Sequence, residues 1–198
     1  MSSVEDAIKK GLRELALTKP YKKIGVSDIC DKAHVSKTAF YKKFDNKDAV
    51  LAQILLDDIC EPVRRIRSAI PTNTFHNEAP RMIDYVQTSN ILENADFYKR
   101  IVSECPMAFL HELTKGFVGV NREVLEGYRL EEAERDYMAF HFAANHTLLI
   151  AKWIHDGMEV DQEKIAEWYH KWATLNWEQL VLSGSLPKDQ AKSATRLP

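Results

Sequence analysis

The chain has 198 residues, 45% of them hydrophobic and 28% charged, which suffices for one sizeable core or for a small module attached to a larger one. Its net charge of −2 is unevenly spread: residues 1–50 hold eleven basic against seven acidic side chains, an excess of four, so the remainder carries −6. The composition is that of a soluble globular chain, and a basic head on an acidic body suggests that only the head meets a polyanion. Glu5, Asp6, Lys9 and Lys10 interrupt the opening segment, so no secretory signal is expected and the expected location is the cytoplasm. Cys30, Cys60 and Cys105 are odd in number and far apart, which fits neither a disulfide framework nor a zinc-ligand spacing; they are expected to be reduced and mostly buried.

Apolar residues recur three and four apart almost everywhere, and Gly and Pro mark boundaries, so an all-α fold of about nine helices is expected, with no strand. Val4, Ile8, Leu12, Leu15 and Ala16 form the stripe of a first helix ending near Thr18, before Lys19-Pro20. After a loop over Pro20–Gly25, the set Val26, Ile29, Cys30 and Ala33 predicts a helix of about two turns. Ser36 is the expected N-cap of a further short helix ending at Phe44. Two short helices joined by three or four residues make a helix-turn-helix. A longer helix is expected from Asn46 to Ile70, kinked or divided by Pro62, followed by a polar connection over Pro71–Pro80. Helices are then expected at 81–94, 96–104, 107–126, 131–156 and 162–182, with a polar, fraying tail after Ser183.

On a helix opening at Ser36, the residues Ala39, Phe40 and Phe44 face inward while Lys37, Thr38, Tyr41 and Lys42 project outward. Cations, a hydroxyl and a phenol on one face suit a DNA duplex: lysines neutralise phosphates, and Thr38 and Tyr41 can donate to phosphate or touch base edges. Periodicity alone equally allows an ordinary solvated face over a three-helix core.

The stretch from about Ile8 to Leu51 resembles the DNA-binding domain of the TetR family of bacterial regulators. The resemblance rests on Ile24-Gly25-Val26, Ala33-His34-Val35-Ser36 and Phe40-Tyr41-Lys42-Lys43-Phe44-Asp45-Asn46-Lys47, which hold the family's spacing without a gap. Gly25 stands where the family has a threonine cap, and His34 where it has a turn glycine. The resemblance implies a helix-turn-helix DNA-binding domain over 1–50 and a ligand-binding and dimerisation domain over 51–198. It implies DNA contacts at Ser27, Ser36, Lys37, Thr38, Ala39, Tyr41, Lys42, Lys43 and Lys47, with Lys37, Thr38 and Ala39 near bases and Tyr41, Lys43 and Lys47 toward phosphates. The implied function is that of a repressor released from double-stranded operator DNA by a small-molecule effector. The alternatives are a ligand-dependent activator and a helical small-molecule binding protein.

Between Tyr137 and Ile154, 13 of 18 residues are apolar, so that helix needs cover on most sides. His141, Asn145 and Lys152 on roughly one face argue against a membrane span. Trp168, Trp172 and Trp177 near the C-terminal end are hard to bury within one subunit. A homodimer interface through Leu148, Ile165, Trp168, Trp172 and Leu175 would cover them, as the resemblance also implies; packing within one subunit is the other reading. Phe97, Tyr98, Phe109, Phe117, Tyr137, Phe140, His141 and Trp153 lie in the helices that enclose the effector in the family, and core packing is again the other reading for each. Lys152-Trp153-Ile154-His155-Asp156-Gly157-Met158 resembles a pattern found in a subgroup of TetR-like proteins. No histidine pair stands four apart on one helix face, so no metal and no cofactor are expected. No phosphate loop or nucleophile elbow suggests an enzyme.

Overall fold

A computed structural model describes residues 3–69 and 79–174. Among these residues the chain is all-helical, without a strand: α1 (Val4–Thr18), α2 (Val26–Ala33), α3 (Lys37–Tyr41), α4 (Lys47–Leu55), α5 (Glu61–Ala69), α6 (Ala79–Glu93), α7 (Ala95–Glu104), α8 (Pro106–Leu125), α9 (Glu132–His155) and α10 (Gln162–Thr174). A short 3₁₀ turn at Tyr21–Lys23 precedes α2, and a π turn at Leu56–Cys60 joins α4 to α5 as one continuous helical path. The expected connection at Pro71–Pro80 and the expected helix to residue 182 lie partly outside the described residues.

The N-terminal helices start and stop where local chemistry dictates. Ser3 caps α1 by accepting the Asp6 N–H at 3.1 Å, and Asp6 returns a bond to the Ser3 N–H at 3.2 Å, a capping box. Gly25 has no hydroxyl to cap α2, and half of the box survives without it: Asp28 Oδ2 accepts the Gly25 N–H at 2.7 Å and is itself paired with Lys19 at 2.7 Å. These two donors hold the Asp28 carboxyl below its ordinary range, Lys19 contributing most. His34 ends α2 with φ 54°, and the bonds Val35 N–H to Cys30 O (3.0 Å) and His34 N–H to Asp31 O (3.3 Å) form a Schellman turn. Ile8, Leu12, Ile29, Phe40 and Leu51 are fully buried where α1 to α4 converge, and each such side chain contributes about 1.5–3 kcal/mol.

Pro62 falls in the first turn of α5, where the helical path returns from π to α winding. It lacks the N–H that would bond the Asp58 carbonyl, and that carbonyl instead accepts the Asn90 side-chain amide from α6 at 2.8 Å. The preceding turn is π-wound, which pushes the Asp58 side chain toward α1 and α7. There Asp58 receives both Arg13 bonds (2.8 and 2.6 Å) and the Tyr98 hydroxyl at 2.5 Å, and the Arg13 guanidinium lies 5.1 Å from the centre of the Phe97 ring. Burial and the adjacent Asp58 charge push the Tyr98 phenol well above its ordinary range, so it remains a donor. Lys9 adds a 2.5 Å bond to Asp57 on the same turn.

A second tie runs from the 3₁₀ turn to α7. The Tyr21 N–H donates to Glu104 at 2.5 Å, and Arg100 joins Glu104 (3.0 Å) to the Leu17 carbonyl (2.9 Å). The Tyr21 amide holds the Glu104 carboxyl below its ordinary value of 4.5, so this tie is intact above that pH and is lost as the pH falls through the depressed value. In the body α8 lies along α9, and Gly116 lets α8 approach the π turn, since a Cβ there would stand 2.7 Å from Cys60 Sγ. Burial pushes the Cys60 thiol up to about 12 and that of Cys105 up to about 11, so neither is a nucleophile at neutral pH. Gln162 ties the start of α10 to α6 through the Tyr85 carbonyl (2.8 Å) and the Ser89 hydroxyl.

Asp58→Asn leaves the Arg13 charge without its partner in a largely buried setting, and stability should fall by about 2–4 kcal/mol in urea unfolding. A loss near the value of a surface pair, below about 0.5 kcal/mol, would show that this cluster does not hold the two halves together.

Candidate nucleic-acid interface

The lysines of the first fifty residues divide into two groups. Lys9, Lys10, Lys19 and Lys32 are paired with Asp57, Glu14, Asp28 and Glu14 respectively. Lys22, Lys23, Lys37, Lys42 and Lys43 are exposed and form no ion pair among the described residues. The second group falls on the 3₁₀ turn and on α3 with the turn that follows it. Pairing neutralises a lysine, so the net positive field of the head is concentrated at these five positions.

The short α3 is held rigidly enough to present them. Ser36 caps it by accepting the Ala39 N–H at 3.1 Å, and Phe40 is fully buried against Tyr41 (5.4 Å, edge-on) and Phe44 (6.0 Å). With Phe40 pointing inward, Lys37 and Thr38 project to solvent, and so does Tyr41, which is 56% exposed. Ser27 and Ser36 are exposed at the starts of α2 and α3, and Ala39 is half-buried.

Lys47, expected near a phosphate, has partners within the chain. Its ammonium donates to the carbonyls of Tyr21 (2.7 Å) and Ile24 (3.1 Å) and lies 4.4 Å from the centre of the Tyr21 ring. The Tyr21 hydroxyl in turn donates to Asp48 at 2.7 Å. Lys47 therefore braces the 3₁₀ turn against the start of α4, and its charge is spent inside the fold. Lys22 and Lys23 are the exposed cations that the motif did not single out; their adjacency, just before a short loop, was the available signal.

The residues expected around an effector separate into two sets. Phe97, Tyr98, Phe109, Phe117 and Trp153 are buried, and Trp153 lines a cleft between α6, α9 and α10. Tyr137 (79% exposed), Phe140 (57%) and His141, also expected around an effector, lie on the exposed side of α9. The reason lies in the helical period: Ala139, Ala143, His146, Ile150 and Trp153 share the inward stripe of α9, and Tyr137, Phe140, His141 and Leu148 share the opposite one. With so many apolar residues on this helix, composition could not tell the stripes apart. Of the residues expected in a dimer interface, Ile165 is buried within its own subunit, whereas Leu148 is 57% exposed, Trp172 46% exposed and Trp168 half-buried. Leu175 lies outside the described residues. The Lys152–Met158 segment turns out to be a helix stop: Met158 N–H bonds Trp153 O (2.9 Å), Gly157 N–H bonds Ile154 O (3.0 Å), and Gly157 has φ 80°. No cluster of three metal-ligating side chains occurs among the described residues, and no described helix is long and apolar enough to cross a membrane.

A helical body joined to a three-helix head whose third helix, with the turn after it, turns lysines to solvent has the form of a helix-turn-helix transcription regulator. The description "Bacterial regulatory proteins, tetR family" matches residues 8–54, and "Transcriptional regulator C-terminal region" matches residues 82–174. The chain belongs to the TetR family of transcription regulators. Comparison with the curated proteins gives no match. Among solved structures, the fold is similar to that of FadR, a fatty acid degradation regulator from Bacillus halodurans, at 17% identity and a TM-score of 0.58, over 86% of this chain and 94% of that one. It is similar to the dihydroxyacetone kinase operon activator DhaS at 20% identity and a TM-score of 0.56, over 83% and 90%. It is also similar to Thermus thermophilus FadR, a repressor solved with lauroyl-CoA, at 18% identity and a TM-score of 0.54, over 93% and 96%.

Replacing Lys47 by Met should cost about 1–2 kcal/mol in thermal or urea unfolding through loss of its charged hydrogen bonds, and should leave the salt dependence of DNA binding unchanged. A salt slope lowered by about one would instead show that Lys47 swings out to a phosphate.

Proposed function

We infer that the protein is a homodimeric, cytoplasmic repressor that reads an operator through α3 and is released by a small-molecule effector held in its C-terminal body. The observation that carries the DNA reading is the segregation of unpaired lysines beside Thr38 and Tyr41, on the short α3, the turn that follows it and the 3₁₀ turn before α2. In this reading residues up to about 50 form the DNA-reading unit and 51–198 the effector and dimer unit. Lys37, Thr38 and Ala39 face base edges. Tyr41, Lys42 and Lys43 contact phosphates, Ser27 and Ser36 contribute from the helix starts, and Lys22 and Lys23 add flanking phosphate contacts.

The outward stripe of α9 supports the dimer. Tyr137, Phe140 and Leu148 on α9 and Trp172 on α10 are large apolar side chains exposed on the helices nearest the C-terminus, and an isologous contact would cover them. Two copies of α3 then read half-sites about 34–36 Å apart, and an effector that changes this separation changes affinity. An effector-dependent activator is the second reading, which the similarity to the operon activator DhaS favours. The two differ in the sign of coupling between ligand and DNA.

Selection from a random duplex pool should enrich a near-palindromic site whose affinity falls steeply with salt, and Lys37→Ala with Lys43→Ala should lower the salt slope by about one per contact removed. A folded protein that enriches no site retires the regulator reading. Phe140→Glu together with Leu148→Glu should yield a folded monomer in sedimentation velocity with weakened operator binding; a persistent dimer would place the interface elsewhere.

A further inference from the structure

The body contains a narrow, partly open cleft between α6, α9 and α10, walled by Gln87, His146, Ile150, Trp153, Ile165 and Tyr169. Its surface is overwhelmingly apolar, and among the described residues no Lys, Arg, Asp or Glu lines it. The histidine forms part of a stack of rings: His146 lies between Phe117, with ring centres 4.4 Å apart, and Tyr169, at 4.1 Å. Trp153 brings no free donor to the cleft, because its Nε1–H bonds the Val160 carbonyl at 2.9 Å.

Gln87 is the exception to this satisfied lining. It is 1% exposed on α6, and its Nε2 has no hydrogen-bond partner. A buried amide donor without an acceptor is costly, and native structures retain one where something else supplies the acceptor. We propose that this cleft binds an uncharged, compact and mainly apolar molecule, aromatic or of similar flatness, whose carbonyl or ether oxygen accepts from Gln87 Nε2. An anion would find no cation to offset its desolvation there, and a cation no carboxylate. The stack of His146 and Tyr169 presents its edges to the ring, and Ile150 and Ile165 close around it. Because α10 is tied to α6 only a few residues away, through Gln162, a ligand in the cleft wedges between α6 and the helix that carries Trp172. The inference deepens the effector-responsive reading above by naming the ligand class.

Acetophenone and ethylbenzene provide the test, since they share size and ring and differ in the acceptor. Calorimetric titration of the full chain should show acetophenone binding on the order of tenfold more tightly than ethylbenzene, the worth of one buried hydrogen bond. Gln87→Met should erase that difference and leave the unliganded protein as stable as the wild type or more so, because it removes an unsatisfied donor. Ala166→Leu, which fills the cleft from α10, should weaken both probes alike. Equal affinity of the two probes for the wild type, a preference that survives Gln87→Met, a lowered melting temperature in that variant, indifference to Ala166→Leu, or no binding of either probe in the millimolar range would each overturn the proposal. Operator selection is read without a probe, so its failure retires the regulator reading and leaves the cleft to be judged by titration. Failure of titration alone retires only the cleft.

Discussion

The ion pair between Arg13 and Asp58 is the constraint on which the arrangement of head and body depends. Asp58 sits on a π turn that Pro62 helps to create, and its two chemical faces serve different helices: the carboxylate binds α1 and α7, and the carbonyl binds α6. Three helices remote in sequence are therefore indexed to a single residue. Rewinding the π turn to ordinary α pitch would rotate Asp58 by roughly a hundred degrees and present it to none of them.

The head achieves a sharp division of labour with one residue type. Lysines that meet carboxylates, or in the case of Lys47 carbonyls and an aromatic ring, hold helices together; those left over on α3 and the 3₁₀ turn supply the field. The same economy explains how the chain tolerates its two departures from the family's pattern. Gly25 forgoes a hydroxyl cap, and Asp28, anchored by Lys19, supplies the missing polar contact from the other side of the box. His34 adopts the left-handed conformation otherwise served by glycine, and two Schellman bonds hold it there. Helix geometry is thus preserved where identity to solved structures is 20% or less.

In the body, α9 is apolar on two opposite sides, and each side has its own use. The inward stripe builds the core and one wall of the cleft. The outward stripe carries Tyr137, Phe140 and Leu148 and has no cover among the described residues. The proposed ligand cleft and the proposed dimer surface are therefore two faces of the same pair of helices.

Sequence alone determined the all-helical class, the helix boundaries to within a few residues, and the exposed face of α3. These follow from local physics: apolar period, capping side chains and the punctuation of Pro and Gly. The gapless spacing from Ile24 to Lys47 also carried the family. Tertiary structure alone decided which of two apolar stripes on α9 faces inward, that Ile165 is internal, that Lys47 is spent as a brace, and that Asp58 rather than a kink at Pro62 organises the centre. Each of these depends on partners far away in the chain, and no periodicity within one helix records what lies across from it.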